Sequence, residues 1–228
     1  MTIAAIVRGR QGTYNALFVD TGAVRSDGVV ADHDKLHRVF GDTYTTCVGD
    51  ASLLVVLSNL VRTSRTRPNL RDPKVIGALM SEVELARRNG ALLGVPTAFP
   101  APPRCTTLVV CNRSEAFFLK MEFNTEAGTH VIPVAPAFLE PDAMLVLRGV
   151  TVATIEGFFT VEQTTVEQVV VDQMVGVNEQ LERGGADRLP YQMKRRVSGI
   201  ILPHKTSSEA TRIDPGVPPM PIHGISID

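Results

Sequence analysis

The sequence predicts an α+β fold in which antiparallel sheets are covered by layers of helix. Apolar runs arrive in pairs joined by tight-turn residues, which is the pattern of β-hairpins. Between those pairs the apolar spacing changes from two to about 3.6, first over two adjacent segments and later over one long one. The resulting order is strands, two helices, strands, one or two helices, strand, and it leaves open whether there is one sheet or two.

The first hairpin joins the apolar run Ile3–Val7 to the strand-like segment Thr13–Asp20 through Arg8-Gly9-Arg10-Gln11-Gly12, a polar turn with two glycines. The stretch 21–28 is turn-rich and leads to Val29-Val30-Ala31. A second hairpin pairs Lys35–Phe40 with Thr43–Val48 around Gly41-Asp42, a dipeptide suited to a positive φ. Asp50 can then cap a helix beginning near Ala51, with Leu53, Leu54, Leu57, Leu60 and Val61 at helical spacing. The next helix has Asp72 as N-cap, Pro73 at its first position, Val75, Ile76, Leu79, Met80, Val83 and Ala86 as its apolar stripe, and Asn89-Gly90 as its stop. These two helices are expected to pack antiparallel on one sheet, with Leu54, Leu57, Val61, Val75, Leu79 and Val83 facing inward.

Residues 92–103 form a proline-punctuated loop, and Thr106–Cys111 with Ala116–Phe123 make a third hairpin around Asn112-Arg113-Ser114-Glu115. Val131–Val134 and Ala143–Leu147 are expected as strands or edges, while 150–159 carries no clear pattern. Thr165-Val166-Glu167-Gln168 has the form of a capping box opening a long helix through Val169, Val170, Gln173, Met174, Val177 and Leu181 to Gly184-Gly185. Val197–Leu202 is the last strand, and residues 214–228 read as an extended, proline-rich C-terminal arm after a single domain over 1–213.

At 228 residues with 44% hydrophobic and 21% charged, the chain can bury a full core, so a single domain is the expectation. A formal net charge of −1 gives no reason to expect nucleic acid. Arg62, Arg65, Arg67 and Arg71 read as a solvated helix end and loop. Cys47, Cys105 and Cys111 lack metal-ligand spacing and read as reduced, structural thiols, so neither a metal nor a cofactor is expected. No leader and no run of eighteen apolar residues is visible, which leads to the expectation of a soluble, cytoplasmic protein without a membrane partner.

The N-terminus carries the chemistry. Met1 followed by a small residue is normally trimmed, and trimming would expose Thr2, one residue holding a hydroxyl nucleophile and, in its α-amine, a base. An α-amine with a reference pKa near ~8 lies much closer to working pH than a lysine amine. An N-terminal threonine therefore needs no distant histidine. A β-rich N-terminus also accounts for the same residues without catalysis.

Four segments in this order resemble proteasome β-type subunits and the related bacterial proteasome-like peptidases. Thr2-Ile3-Ala4-Ala5-Ile6-Val7 resembles the nucleophile strand, Val19-Asp20 the end of the second strand, Asp34-Lys35-Leu36-His37 the lysine segment, and Cys47-Val48-Gly49-Asp50-Ala51 the glycine turn that opens the first helix. Thr165-Val166-Glu167-Gln168-Val169 is similar to the start of the family's third helix. The resemblance is strongest over residues 2–60. It implies a four-layer αββα sandwich of two antiparallel sheets flanked by helices, with the active site at the open end between the sheets.

By position it also implies Thr2 as nucleophile and base, Lys35 as the charge that lowers the pKa of the site, Asp20 as the group holding Lys35, and the Gly49 N–H as donor to the oxyanion. Taken alone, Asp20 and Lys35 read as a surface ion pair beside a turn. The second half departs from the family pattern: the counterpart of its glycine-serine-glycine turn is Arg148-Gly149-Val150-Thr151, and the serine and aspartate after the third helix have only Gly184-Gly185-Ala186-Asp187 to match. Thr151 and Asp187 are the candidates for the supporting roles. Two functions follow as expectations. One is a threonine peptidase acting on peptides or unfolded proteins within a ring of identical subunits. The other is a non-catalytic subunit of the same fold in a large particle such as a phage virion.

Overall fold

The computed structural model describes residues 2–24, 30–49, 54, 57, 67–78, 81, 105–124, 130–133, 135–148, 151–155, 166–183 and 196–218. Its strands are β1 (Ile3–Arg8), β2 (Tyr14–Asp20), β3 (Gly22–Val24), β4 (Val30–Asp32), β5 (His37–Phe40), β6 (Thr43–Val48), β7 (Cys105–Cys111), β8 (Ala116–Asn124), β9 (His130–Pro133), β10 (Ala137–Phe138), β11 (Ala143–Arg148) and β12 (Thr151–Ile155). Helix α1 (Val166–Arg183) follows, then β13 (Val197–Pro203) and β14 (Thr211–Ile213).

Two antiparallel sheets stack on each other. The first is six-stranded with the order β12-β11-β1-β2-β13-β14, and the second runs β10-β8-β7-β6-β5. Strand β9 also pairs with β8, so β9 and β10 lie one after the other along that strand, opposite Met121–Asn124 and Phe117–Phe118. A separate two-stranded ribbon, β3-β4, leaves the end of β2.

Strand β1 shows why there are two sheets. Successive side chains of a strand point to opposite faces. Ile3, Ala5 and Val7 enter a core with Phe18, Val146, Val170 and Met174, whereas Ala4 and Ile6 enter another with Leu17, Val48, Val109 and Ile200. Both faces of β1 are covered, the first by α1 and the second by the other sheet, and this explains an apolar run without alternation.

Helix α1 buries Val166, Val170, Met174 and Val177, a stripe at helical spacing, against the first sheet. Each such side chain contributes about 1.5–3 kcal/mol when fully removed from water. The helix ends at Arg183, immediately before Gly184-Gly185 as the sequence predicts. Gln168 donates through Nε2 to Asp172 Oδ1 at 3.0 Å, an i,i+4 contact; Thr165, its expected capping-box partner, lies outside the described residues.

The far face of the second sheet is also apolar, with Leu108, Phe117 and Leu119 buried. Leu54, Leu57 and Ile76 of the helical region are buried as well, and Val75 is half-buried. Val61, Leu79 and Val83 lie outside the described residues. Residues 73–78 are helical, and Asp72 caps them: its Oδ1 accepts the Lys74 N–H at 2.9 Å, while Pro73 occupies the first position.

Several boundaries differ from the sequence reading. The strand expected from Lys35 begins at His37, because residues 33–36 form a turn. The ribbon β3-β4 and the short strands β10 and β14 were not expected from periodicity, and 151–155, without a clear pattern, pairs as β12. The Gly41-Asp42 hairpin is present, with Gly41 at φ 51. Residues 214–218 turn back on the chain. Gly216, at φ 63, donates its N–H to Asp214 Oδ1 at 2.8 Å, and the Pro218 carbonyl accepts the Asp34 N–H at 2.8 Å.

Candidate active site

The alternation that sends Ala4 and Ile6 between the sheets puts Thr2 on that same face, just before the first residue of β1. Thr2 is 6% exposed. The Ile3 N–H, on the peptide that follows Thr2, donates to Asp20 Oδ1 at 2.9 Å. Asp20 ends β2, and its Oδ2 accepts the Gly22 N–H at 3.1 Å, which turns the chain out of the sheet into the β3-β4 ribbon.

The ribbon returns the chain to the same place. His33 donates its N–H to the Thr21 carbonyl at 2.8 Å, and Asp34 Oδ1 accepts the Leu36 N–H at 2.9 Å, folding a turn around Lys35. Leu36 is anchored between the sheets. From this turn Lys35 Nζ donates to Asp20 Oδ1 at 2.9 Å, with both side chains almost wholly out of solvent. The expectation of a surface ion pair is therefore corrected. The charges are enclosed because the inter-sheet core continues to the end of β2.

Burial lowers the Lys35 pKa below the ordinary lysine value, against the opposing effects of Asp20 and, more weakly, Asp32. Asp32 was not singled out in the sequence. Its Oδ1 accepts from Thr21 Oγ1 at 2.8 Å, and the spacing of Asp20 and Asp32 around a two-stranded ribbon carries no sequence signature. Removing two charges from water costs several kcal/mol per ion, so a buried pair of this kind is a weak source of stability. Perturbed, desolvated charges of this type cluster at functional sites.

Gly49 follows β6 at φ 118, a conformation that disfavours any side chain, and it is half-buried. Thr151 begins β12 opposite Arg148, which in turn lies opposite Ile3, so its backbone is level with the start of β1 but two strands away. Arg148 itself is buried and donates through Nη1 to the Asn178 carbonyl of α1 at 2.9 Å. Asp187 lies outside the described residues. The structure thus brings together Asp20, Lys35 and the Thr2–Ile3 peptide.

Among the described residues no group of three or more His, Cys, Asp or Glu side chains could hold a metal ion. Cys47 and Cys111 are free and buried, and burial pushes both thiols well above their ordinary range, which keeps them protonated. Arg67 and Arg71 are exposed, as expected, and Arg62 and Arg65 lie outside the described residues; Arg71 pairs with Glu115 at 2.6 Å. No described helix is long and apolar enough to cross a membrane.

No protein-family profile matches the chain, and no curated protein does. Solved structures do match. Thiobacillus denitrificans BPH is 13% identical, covering 91% of this chain and 100% of its own, with a TM-score of 0.48. Anbu (ancestral beta-subunit) from Yersinia bercovieri is 12% identical over 93% of this chain and 87% of its own, with a TM-score of 0.47. Eukaryotic HslV from Trypanosoma brucei is 14% identical over 90% of this chain and 100% of its own, with a TM-score of 0.39.

Proposed function

We propose that the chain is a proteasome-like threonine peptidase subunit, active once removal of Met1 exposes Thr2. The observation that carries this reading is the buried Asp20–Lys35 pair held against the Thr2–Ile3 peptide. A charge so placed favours the deprotonated form of a neighbouring hydroxyl.

In this reading the Thr2 α-amine takes the proton of Oγ1 as Oγ1 attacks the scissile carbonyl carbon. The carbonyl oxygen becomes negative and is met by the Gly49 N–H, a type of contact commonly contributing about 3 kcal/mol. The tetrahedral intermediate collapses by breaking the C–N bond; the leaving amine carries off the proton, and an ester remains on Thr2. Water, deprotonated by the same amine, attacks that ester; the ester C–O bond breaks, the acid is released, and the amine returns the proton to Thr2 Oγ1. Lys35 holds positive charge beside these steps, and Asp20 holds Lys35. Thr151 and Asp187 are proposed for supporting hydrogen bonds. We also propose that the chain assembles with copies of itself, with residues after Asp214 contacting a neighbour.

The test uses the full chain expressed with Met1. Intact mass reports whether Met1 is removed, and mild periodate converts only an exposed N-terminal amino alcohol to an aldehyde. Removal of Met1 with hydrolysis of fluorogenic peptides, lost in Thr2→Ala, is the expected result. A chain that retains Met1 and hydrolyses nothing rejects the peptidase and leaves the structural subunit. A monomer by light scattering at micromolar concentration rejects the assembly.

A further inference from the structure

Lys35 is carried on a turn that neither sheet pairs as a strand, and the turn is tied down from the far end of the chain. Asp34 is the knot. Its Oδ1 accepts the Leu36 N–H, closing the turn around Lys35; its N–H donates to the Pro218 carbonyl; and its Oδ2 pairs with Arg212 of β14. Arg212 lies opposite Ile200 of β13, so the first sheet fixes its backbone. Beyond it, the turn at Asp214–Gly216 brings Pro218 back to the same residue. Two contacts, one charged and one main-chain, thus converge on Asp34 from 178 or more residues away.

We propose that residues 211–218 form a strap, with Arg212 as its positioning residue, that sets where Lys35 Nζ stands relative to Thr2; the inference rests on the peptidase reading for its catalytic consequence. The Arg212–Asp34 pair is partly solvated, with side chains 35% and 18% exposed, so its loss has little effect on global stability. Its leverage is geometric. Asp34 Oδ1 and Oδ2 belong to one carboxylate, and pulling Oδ2 toward Arg212 orients Oδ1 at the Leu36 N–H. Without Arg212 the carboxylate turns freely, the turn around Lys35 opens, and the buried ammonium loses its fixed relation to the reacting hydroxyl.

The experiment compares Arg212→Ala, Arg212→Lys and Gly216→Val in the full, processed chain. Hydrogen exchange at the Asp34 and Leu36 amides reports the strap independently of activity. Arg212→Ala is expected to speed exchange at both and to lower kcat about tenfold to a hundredfold, the cost of a small misplacement, with KM within about twofold. Arg212→Lys restores most of kcat, because the contact with Asp34 is through a single nitrogen. Gly216→Val, which forces a branched residue to φ 63 where nothing lies within 4 Å of its Cβ, speeds exchange at Asp34 with the Arg212 pair intact. Unchanged exchange at Asp34 and Leu36 in Arg212→Ala overturns the proposal whatever the activity. Equal acceleration in the amides of β1 overturns it too, since Arg212 would then support the whole fold. Processed wild-type protein that hydrolyses no peptide overturns the peptidase reading instead, and faster exchange at the two amides alone still supports the strap.

Discussion

Lys35 Nζ and Asp20 Oδ1 lie 2.9 Å apart with side chains 2% and 0% exposed, although Asp20 is the last residue of β2 and Lys35 lies in the segment between β4 and β5. The pair is enclosed because the β3-β4 ribbon folds the chain back across the end of β2, and Leu36 plugs the space beside it.

Breaking that pair separates stability from chemistry. Lys35→Met leaves the Asp20 carboxylate buried without its cation and should cost about 3–5 kcal/mol in urea denaturation. Adding Asp20→Asn, which keeps an acceptor for the Ile3 N–H, should recover a large part of that loss while peptide hydrolysis stays absent. Recovery of hydrolysis in the double variant would remove Lys35 from the site.

Thr2→Ser should keep measurable hydrolysis, since amine and hydroxyl both remain, whereas Thr2→Ala should abolish it with a change in stability on the order of 1 kcal/mol. Fluorogenic peptide assays alongside thermal melts check both. Equal activity in Thr2→Ala and the parent chain would assign the hydrolysis elsewhere.

Tyr14 is buried against Gly9, and burial pushes its phenol from the ordinary 10.0 up to about 12. The folded chain therefore holds this proton more tightly than the unfolded chain. The contribution is fully present below pH 10.0 and is lost between there and about 12. Denaturation in urea across that range should show the fall, and Tyr14→Phe should remove this part of the slope.

Gly199 sits where a Cβ would meet Phe18 Cδ1 at 2.6 Å and Ile213 Cβ at 3.2 Å. Phe18 is fully buried and has no room to withdraw, so Gly199→Ala should destabilise by about 1–3 kcal/mol through overpacking. Chemical denaturation gives the number. A stability equal to the parent's would mean that β13 shifts without cost.

Cys47 and Cys111 should resist alkylation in the folded chain and react on unfolding, because only the thiolate is nucleophilic and burial suppresses it in both. Peptide mass mapping after iodoacetamide distinguishes the two states. Rapid labelling of either in the native protein would place it nearer solvent than the sheets allow.

What the sequence determined by itself was whatever depends on neighbours along the chain. Helix α1 is legible because Val170, Met174 and Val177 recur at the helical period, and the Asp72-Pro73 start because its cap is local. The Gly41-Asp42 hairpin follows from one glycine's freedom at positive φ. The order of Thr2, Asp20, Lys35 and Gly49 was readable in the same way, as a succession of short motifs. Tertiary structure decided the rest. Strands β10 and β14 exist because a partner edge accepts them; two or three residues are too few for a period to show. Whether Asp20 and Lys35 meet in water or out of it depends on the second sheet closing over them, since desolvation belongs to the assembled sandwich and to no residue alone. The tie from Arg212 to Asp34 spans 178 positions, a separation over which local propensity carries no information and only the pairing of β13 with β14 brings the charges together.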